Sequence, residues 1–245
     1  MWLVASNRNG VSSWEIHRAL KVTQKTAWFL LHRVRLAMQD EGHGGKIGGE
    51  GQEVEVDETF IGGKARNMHK SRKLRLTQAS KGAGLYAGAG KSIVVGMLER
   101  GGTVRTGILE ERNKKTMRAL VQDNVEAGTT IYSDEFGSQW RMNEYTHEVI
   151  NHLEAYVKDN CHTNGLENFW SLLKRSIGGT YVSVEPFHLF RYVDEQAFRY
   201  NNRNPMSDAD RFSYLVRKVV GKRLTYAELT GNTDAGPSPT EEVPF

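Results

Sequence analysis

Apolar residues recur every three to four positions before residue 40 and every second position from residue 53, so the chain passes from helical to β patterning. In the first region Ser12 or Ser13 stands as an N-cap ahead of Trp14, Ile16 and Leu20. Thr23 precedes a second stripe of Ala27, Leu30, Leu31, Val34 and Met38. Two helices separated by so short a turn predict a helix-turn-helix over residues 1–41. Its second helix would lead with Gln24, Lys25 and Thr26, placed to touch base edges or phosphates. Glycines at 42, 44, 45, 48, 49 and 51 then predict a flexible linker over 42–52.

Beyond the glycines, EVEVDETFIG alternates Val54, Val56 and Phe60 as a strand does. SIVVGMLER and GTVRTGILE predict two further strands joined by a turn at Gly101–Gly102. KKTMRALVQDNV is helical, with Met117, Leu120 and Val121 on one face, and TTIYSDE is a short strand ending in acids. Helical patterns dominate afterwards, in TNGLENFWSLLKRSI, in HLFRYVDEQAFRYNNR and more weakly over 208–229. The fold class expected is α/β: a mixed-sheet core over 53–204, compatible with a ribonuclease-H-like core, preceded by the small helix-turn-helix segment. A helical extension over 205–230 and a disordered tail over 231–245 complete the division; the tail holds three of the five prolines.

Composition narrows the function classes. With 38% hydrophobic and 25% charged residues the chain can bury a real core. No run of 18 apolar residues and no signal-like amino terminus occur, so no membrane partner and a cytoplasmic location are expected. Cys161 is the only cysteine, which excludes an internal disulfide and a cysteine-built zinc cluster. The net charge of +4 is modest, but Gly62 to Leu98 contains no acid. Lys64, Arg66, Lys70, Arg72, Lys73, Arg75, Lys81 and Lys91 fall inside that stretch, so the predicted loop over 62–91 should attract a polyanion such as DNA.

Three acids could carry chemistry. Asp57 lies within an apolar strand, on the face opposite Val54 and Val56, and Asp134 sits where TTIYSDE leaves its strand. On the helix around 163–177, Leu166, Phe169, Trp170, Leu173 and Ile177 form an apolar stripe. Asn164, Glu167, Ser171 and Lys174 form a polar one beside it. Converging carboxylates suit a pair of hard cations acting on a phosphodiester. A strand-edge acid at Asp57, a helix cap at Asp134 and a solvated helix face are the structural alternatives. His147, His152 and His162 precede the helix and could position water or phosphate, or serve as capping and core hydrogen-bonders. His188 and Arg191, with Tyr214 or Tyr226, match the His-x-x-Arg spacing of tyrosine recombinases. They lie on a strongly amphipathic helix with Phe190, Val193 and Ala197, which favours packing.

The strings VDETFIGG, YSDEFGSQW, INHLEAYV and above all HTNGLENFWSLLKR resemble bacterial insertion-sequence transposases of the DDE type, specifically the ISXO-type group related to Merlin elements. The resemblance implies a ribonuclease-H-like core, a catalytic and metal-binding triad of Asp57, Asp134 and Glu167, and a basic catalytic residue matched by Lys174. Some groups use asparagine as third ligand, which keeps Asn164 as a second candidate. Such proteins usually begin with a four-cysteine zinc ribbon, and its absence here is a departure. The activity implied is Mg²⁺-dependent cleavage and strand transfer on double-stranded DNA, with Mn²⁺ as a substitute metal. A homodimer or higher multimer on DNA, associated with the nucleoid, is expected. Gln24, Lys25, Thr26, Arg33, Arg35, Lys64, Arg66, Lys70, Arg72, Lys73 and Arg75 are the expected DNA contacts. A DNA-binding regulator that no longer cuts and a ribonuclease-H-like nuclease are the alternatives.

Overall fold

A computed structural model describes residues 1–39, 45–63, 69–71, 74, 90–133, 142–149, 163–204 and 206–231. Its centre is a five-stranded mixed sheet of β1 (Glu53–Ile61), β2 (Ser92–Glu99), β3 (Val104–Leu109), β4 (Thr130–Ser133) and β5 (Thr146–Val149), in the order β3-β2-β1-β4-β5. The turn at Gly101–Gly102 folds β3 back antiparallel on β2, which is itself antiparallel to β1. Helix α4 (Lys114–Asn124) then carries the chain across the sheet, so β4 runs parallel to β1 and β5 parallel to β4. This is the mixed α/β core expected from the sequence, consistent with a ribonuclease-H-like fold. β5 was not anticipated, because THEV is too short and too polar to show a period.

Strand alternation sorts two cores. Val54 and Val56 of β1 join Ile93, Val95 and Met97 of β2, Ile131 of β4, and Met117 and Val121 of α4 on one face. On the other, Ile61, Val94, Leu98 and Val104 meet Leu166, Phe169, Trp170 and Leu173 of α5 (Asn164–Arg175). Leu189, Val193 and Tyr200 of α6 (Leu189–Asn201) complete that layer. The six central residues of β2 are buried, as expected of a strand covered on both faces. Edge strand β3 is closed by Asn201, whose amide accepts from Val104 N (2.8 Å) and donates to Val104 O (3.0 Å).

The amino-terminal helices are α1 (Trp2–Ser6), α2 (Ser13–Leu20) and α3 (Gln24–Met38). Of the two candidate serines Ser12 caps α2, in a capping box with Glu15, and Thr23 caps α3 as expected. These helices share one core with later elements: Val4, Ala5, Val11, Ile16, Ala27, Leu31, Ala37 and Met38 pack with Phe198 of α6 and Leu215 of α7 (Asp208–Val219). A short α8 (Tyr226–Thr230) follows.

The structure departs from two expectations. Arg35, expected to contact phosphate, is only 1% exposed, and its Nε donates to Glu195 Oε2 at 2.7 Å. The cause is the position of Arg35 on the face of α3 that packs against α6. Glu195 also receives Arg199 and the Tyr181 hydroxyl (2.5 Å), giving a closed ionic cluster. Part of the glycine-rich segment expected as a flexible linker is also fixed to the core. Ile47 is buried and pairs with Val125 in a parallel bridge, and Gly49 N donates to Thr129 Oγ1 at 2.9 Å.

Burial would raise the Glu195 carboxyl, but Arg199 and Arg35 overcome it and hold the group at about 2. Next to it His32 is fully buried, and neither ring nitrogen has a hydrogen-bond partner among the described residues. Burial, then Arg35, holds the imidazole down at about 3. The unfolded chain therefore takes up a proton near pH 6.5 that the folded chain refuses. Stability is full above that value and falls with pH below it, by about 1.4 kcal/mol per unit for this one group. Urea unfolding at a series of pH values should show His32→Leu with a flatter loss of stability between pH 6.5 and 4.5 than the wild type. Equal slopes would contradict this account.

Candidate active site

Helix α5 starts at Asn164, and its N-cap residue Thr163 makes no side-chain capping bond. The orphan amides of the first turn need another acceptor. It comes from the sheet: Glu55 Oε2 accepts from Leu166 N at 3.0 Å, in a fully buried position. A carboxylate there also opposes the positive end of the helix dipole. Arg100 Nε balances the other oxygen at 3.4 Å.

Two residues further along β1, Asp57 Oδ2 accepts the indole N–H of Trp170 at 2.9 Å, while its Oδ1 accepts Glu58 N at 2.8 Å. From Glu55 to Asp57 the strand rises about 6.6 Å. From Leu166 to Trp170 the helix rises about 6.0 Å. The two bonds therefore hold α5 alongside β1, running in the same direction, in one register. Glycines permit the closeness. A Cβ at Gly165 would stand 2.5 Å from Leu98 Cδ2 and 2.8 Å from Glu55 Oε2. At Gly96, the β2 partner of Asp57, it would meet the Trp170 ring at 2.8 Å.

Glu167 is exposed and three residues before Trp170, so its Cβ lies about 5–6 Å from that of the residue bonded to Asp57. Asn164, Ser171 and Lys174 are exposed on the same stripe, while Leu166, Phe169, Trp170 and Leu173 are buried, as the sequence periodicity predicts. Lys174 lies two turns beyond Glu167 and lines a cavity of about 510 Å³ with Phe60, Gly62, Gly63, Gly90 and Ser92. That cavity adjoins both ends of the basic stretch. Asp134 lies outside the described residues. It directly follows Ser133, the last residue of β4, which pairs parallel to β1 through Glu55 and Tyr132.

Of the histidines, His147 is half-buried, is pushed down by burial, and meets Ser133 Oγ through Nε2 at 2.7 Å. His152 and His162 lie outside the described residues. Of the expected DNA contacts, Lys25, Thr26, Arg33 and Lys70 are exposed. Gln24 is half-buried and donates to Ser13 Oγ at 2.8 Å, and Lys25 stands over the Tyr226 ring at 4.5 Å. Lys64, Arg66, Arg72, Lys73 and Arg75 lie outside the described residues.

The donors at hand are carboxylate and amide oxygens, which suit a hard divalent cation better than a zinc-type one. Among the described residues no three His, Cys, Asp or Glu side chains form a metal-binding group, and the expected second aspartate is not among those residues. Sequence reasoning missed Glu55, Gly96, Gly165 and the polar role of Trp170. One signal was present: Glu55 and Asp57 share a strand face, and an acid on a covered face needs a donor.

Residues 47–201, more than half of the chain, match the model of the ISXO2-like transposase domain. No curated protein and no solved structure matches the chain.

Gly165→Ala should lower stability by about 1–3 kcal/mol, because the methyl group must displace Leu98 or the Glu55 carboxylate. Denaturant unfolding checks this, and a wild-type midpoint would show that helix and sheet are not in such close contact.

Proposed function

The chain belongs to the ISXO2-like transposase family, and from that premise we propose that it cuts DNA at the ends of a mobile element and joins those ends to new DNA. Asp57, Asp134 and Glu167 would hold Mg²⁺, or Mn²⁺ in its place, with Asn164 as the alternative to Glu167. The observation that supports the proposal is the Trp170–Asp57 hydrogen bond, which holds the helix carrying Glu167, one turn before Trp170, against the strand carrying Asp57.

Bound there, the metal pair would activate the attacking oxygen and neutralise the leaving one in an in-line displacement. The chain's own residues do the rest. Asp57 presents a carboxylate whose plane two N–H donors fix, and Glu167 adds a second from the exposed stripe of α5. Lys174 offers a positive charge to a phosphate in the adjoining cavity. In the first step water attacks the phosphorus at the element end and the 3′-oxygen leaves. In the second that 3′-hydroxyl attacks a target phosphodiester and displaces the target's own 3′-oxygen, with no covalent protein intermediate.

The substrate is double-stranded DNA, taken by a homodimer or higher multimer. Lys25, Thr26 and Arg33 at the surface of α3, with Gln24 beside them, and the basic residues of the 62–91 stretch would supply contacts to it. Those to phosphate weaken steeply with salt. A cytoplasmic, nucleoid-associated site of action fits this substrate, and among the described residues no helix is long and apolar enough to cross a membrane.

Asp57→Asn, Asp134→Asn and Glu167→Gln should each lower Mg²⁺-dependent cleavage of an end-containing duplex by more than the roughly 10–100-fold that loss of a residue behind a metal ligand costs. Duplex binding should persist. Full strand transfer by Asp134→Asn would overturn the assignment. Binding without metal-dependent nicking in the wild type would favour a regulator, and equal cutting of unrelated branched DNA or hybrids a nuclease.

A further inference from the structure

We propose that Trp170 is a positioning residue for the metal-binding carboxylate of Asp57, and that Gly96 supplies the clearance its indole needs. The inference rests on the reading of Asp57 as a metal ligand and adds a residue that the family match does not assign.

Packing alone asks only for apolar bulk at position 170, between Leu166, Phe169 and Leu173 on the buried stripe of α5. A tryptophan brings more than bulk, because a buried indole N–H must find an acceptor. Trp170 is 4% exposed, and its acceptor is Asp57 Oδ2 at 2.9 Å. An indole N–H only donates and does not titrate, so it orients the carboxylate without competing for the cation. Glu58 N donates to the other oxygen, Oδ1, at 2.8 Å, so N–H donors hold both carboxylate oxygens.

The ring itself cannot drift. Phe169 meets it edge-on at 5.1 Å between centroids. Gly96 faces Asp57 across the β1–β2 ladder, and a Cβ there would stand 2.7 Å from Leu166 Cδ2 and 2.8 and 2.9 Å from Cζ2 and Cη2 of the indole. Rigid core packing therefore sets the direction of the N–H, and the N–H sets the carboxylate. Donors that orient a metal ligand from behind in this way are worth about 10–100-fold in metal affinity.

Mn²⁺ binding by titration calorimetry on the full chain tests this, with melting temperature recorded for every variant. Trp170→Phe should bind Mn²⁺ about 10–100-fold more weakly. In cleavage assays its Mg²⁺ midpoint should rise by the same factor, with the rate largely restored at saturating Mg²⁺. Gly96→Ala keeps the indole but crowds it together with Leu166, and should weaken binding in the same direction. Leu173→Ala, which opens a cavity one turn away without touching a carboxylate, should lower the melting temperature and leave metal affinity unchanged. Wild-type affinity in Trp170→Phe would overturn the proposal, as would equal weakening in Leu173→Ala. Asp57→Asn separates the two levels. If it abolishes binding while Trp170→Phe does not alter it, only this inference fails; if it binds as the wild type does, the metal assignment of Asp57 fails as well.

Discussion

Two hydrogen bonds from β1 to α5 fix the geometry on which the site depends. Glu55 takes the Leu166 amide and Asp57 takes the Trp170 indole, and the rises of strand and helix between those points agree to within about 1 Å. Slipping the helix by one residue would rotate every side chain by about 100° and part Trp170 from Asp57. Asp57 and Trp170, more than a hundred residues apart in the chain, are thus brought together by a register and not by local sequence. The close approach is possible only because positions 96 and 165 carry no Cβ.

A second buried polar centre fixes the amino-terminal helices to the same body. Glu195 of α6 is closed over by Arg35 of α3, Arg199 of its own helix, and Tyr181 from the π-helical turn that follows α5. Buried ions are costly unless paired and hydrogen-bonded, and removal of one partner leaves an uncompensated charge. The cluster therefore specifies how α3 sits on α6 more than it adds net stability. It also binds the layer that holds the exposed Lys25 and Arg33 to the layer that presents α5, with shared apolar packing through Phe198 and Leu215.

Where one face alternated with another, the sequence was informative. Val54 and Val56 opposite Asp57, and the division of α5 into buried Leu166, Phe169, Trp170 and Leu173 beside exposed Asn164, Glu167, Ser171 and Lys174, follow from periodicity, and residue type marked the cap at Thr23 and one of Ser12 or Ser13. What periodicity does not encode is which partner covers a face. Arg35 looked like a surface cation because a charge pattern says nothing about Glu195, which lies 160 residues away in the chain. Glu55 passed unremarked in an alternating strand, because its role depends on a covering helix that lacks a side-chain cap of its own. Trp170 looked like apolar bulk, since its N–H matters only once Asp57 is known to face it. Ile47 was lost among glycines whose composition suggests a tether, and β5 was too short to show a period.

The most direct test of the central claim is a crystal of the protein with Mn²⁺, examined by anomalous scattering. The account predicts a metal peak about 2.0–2.3 Å from a carboxylate oxygen of Asp57, with Glu167 or Asn164 of α5 turned toward the same site. A peak elsewhere, or an ordered Glu167 facing away from Asp57 with metal bound, would contradict it.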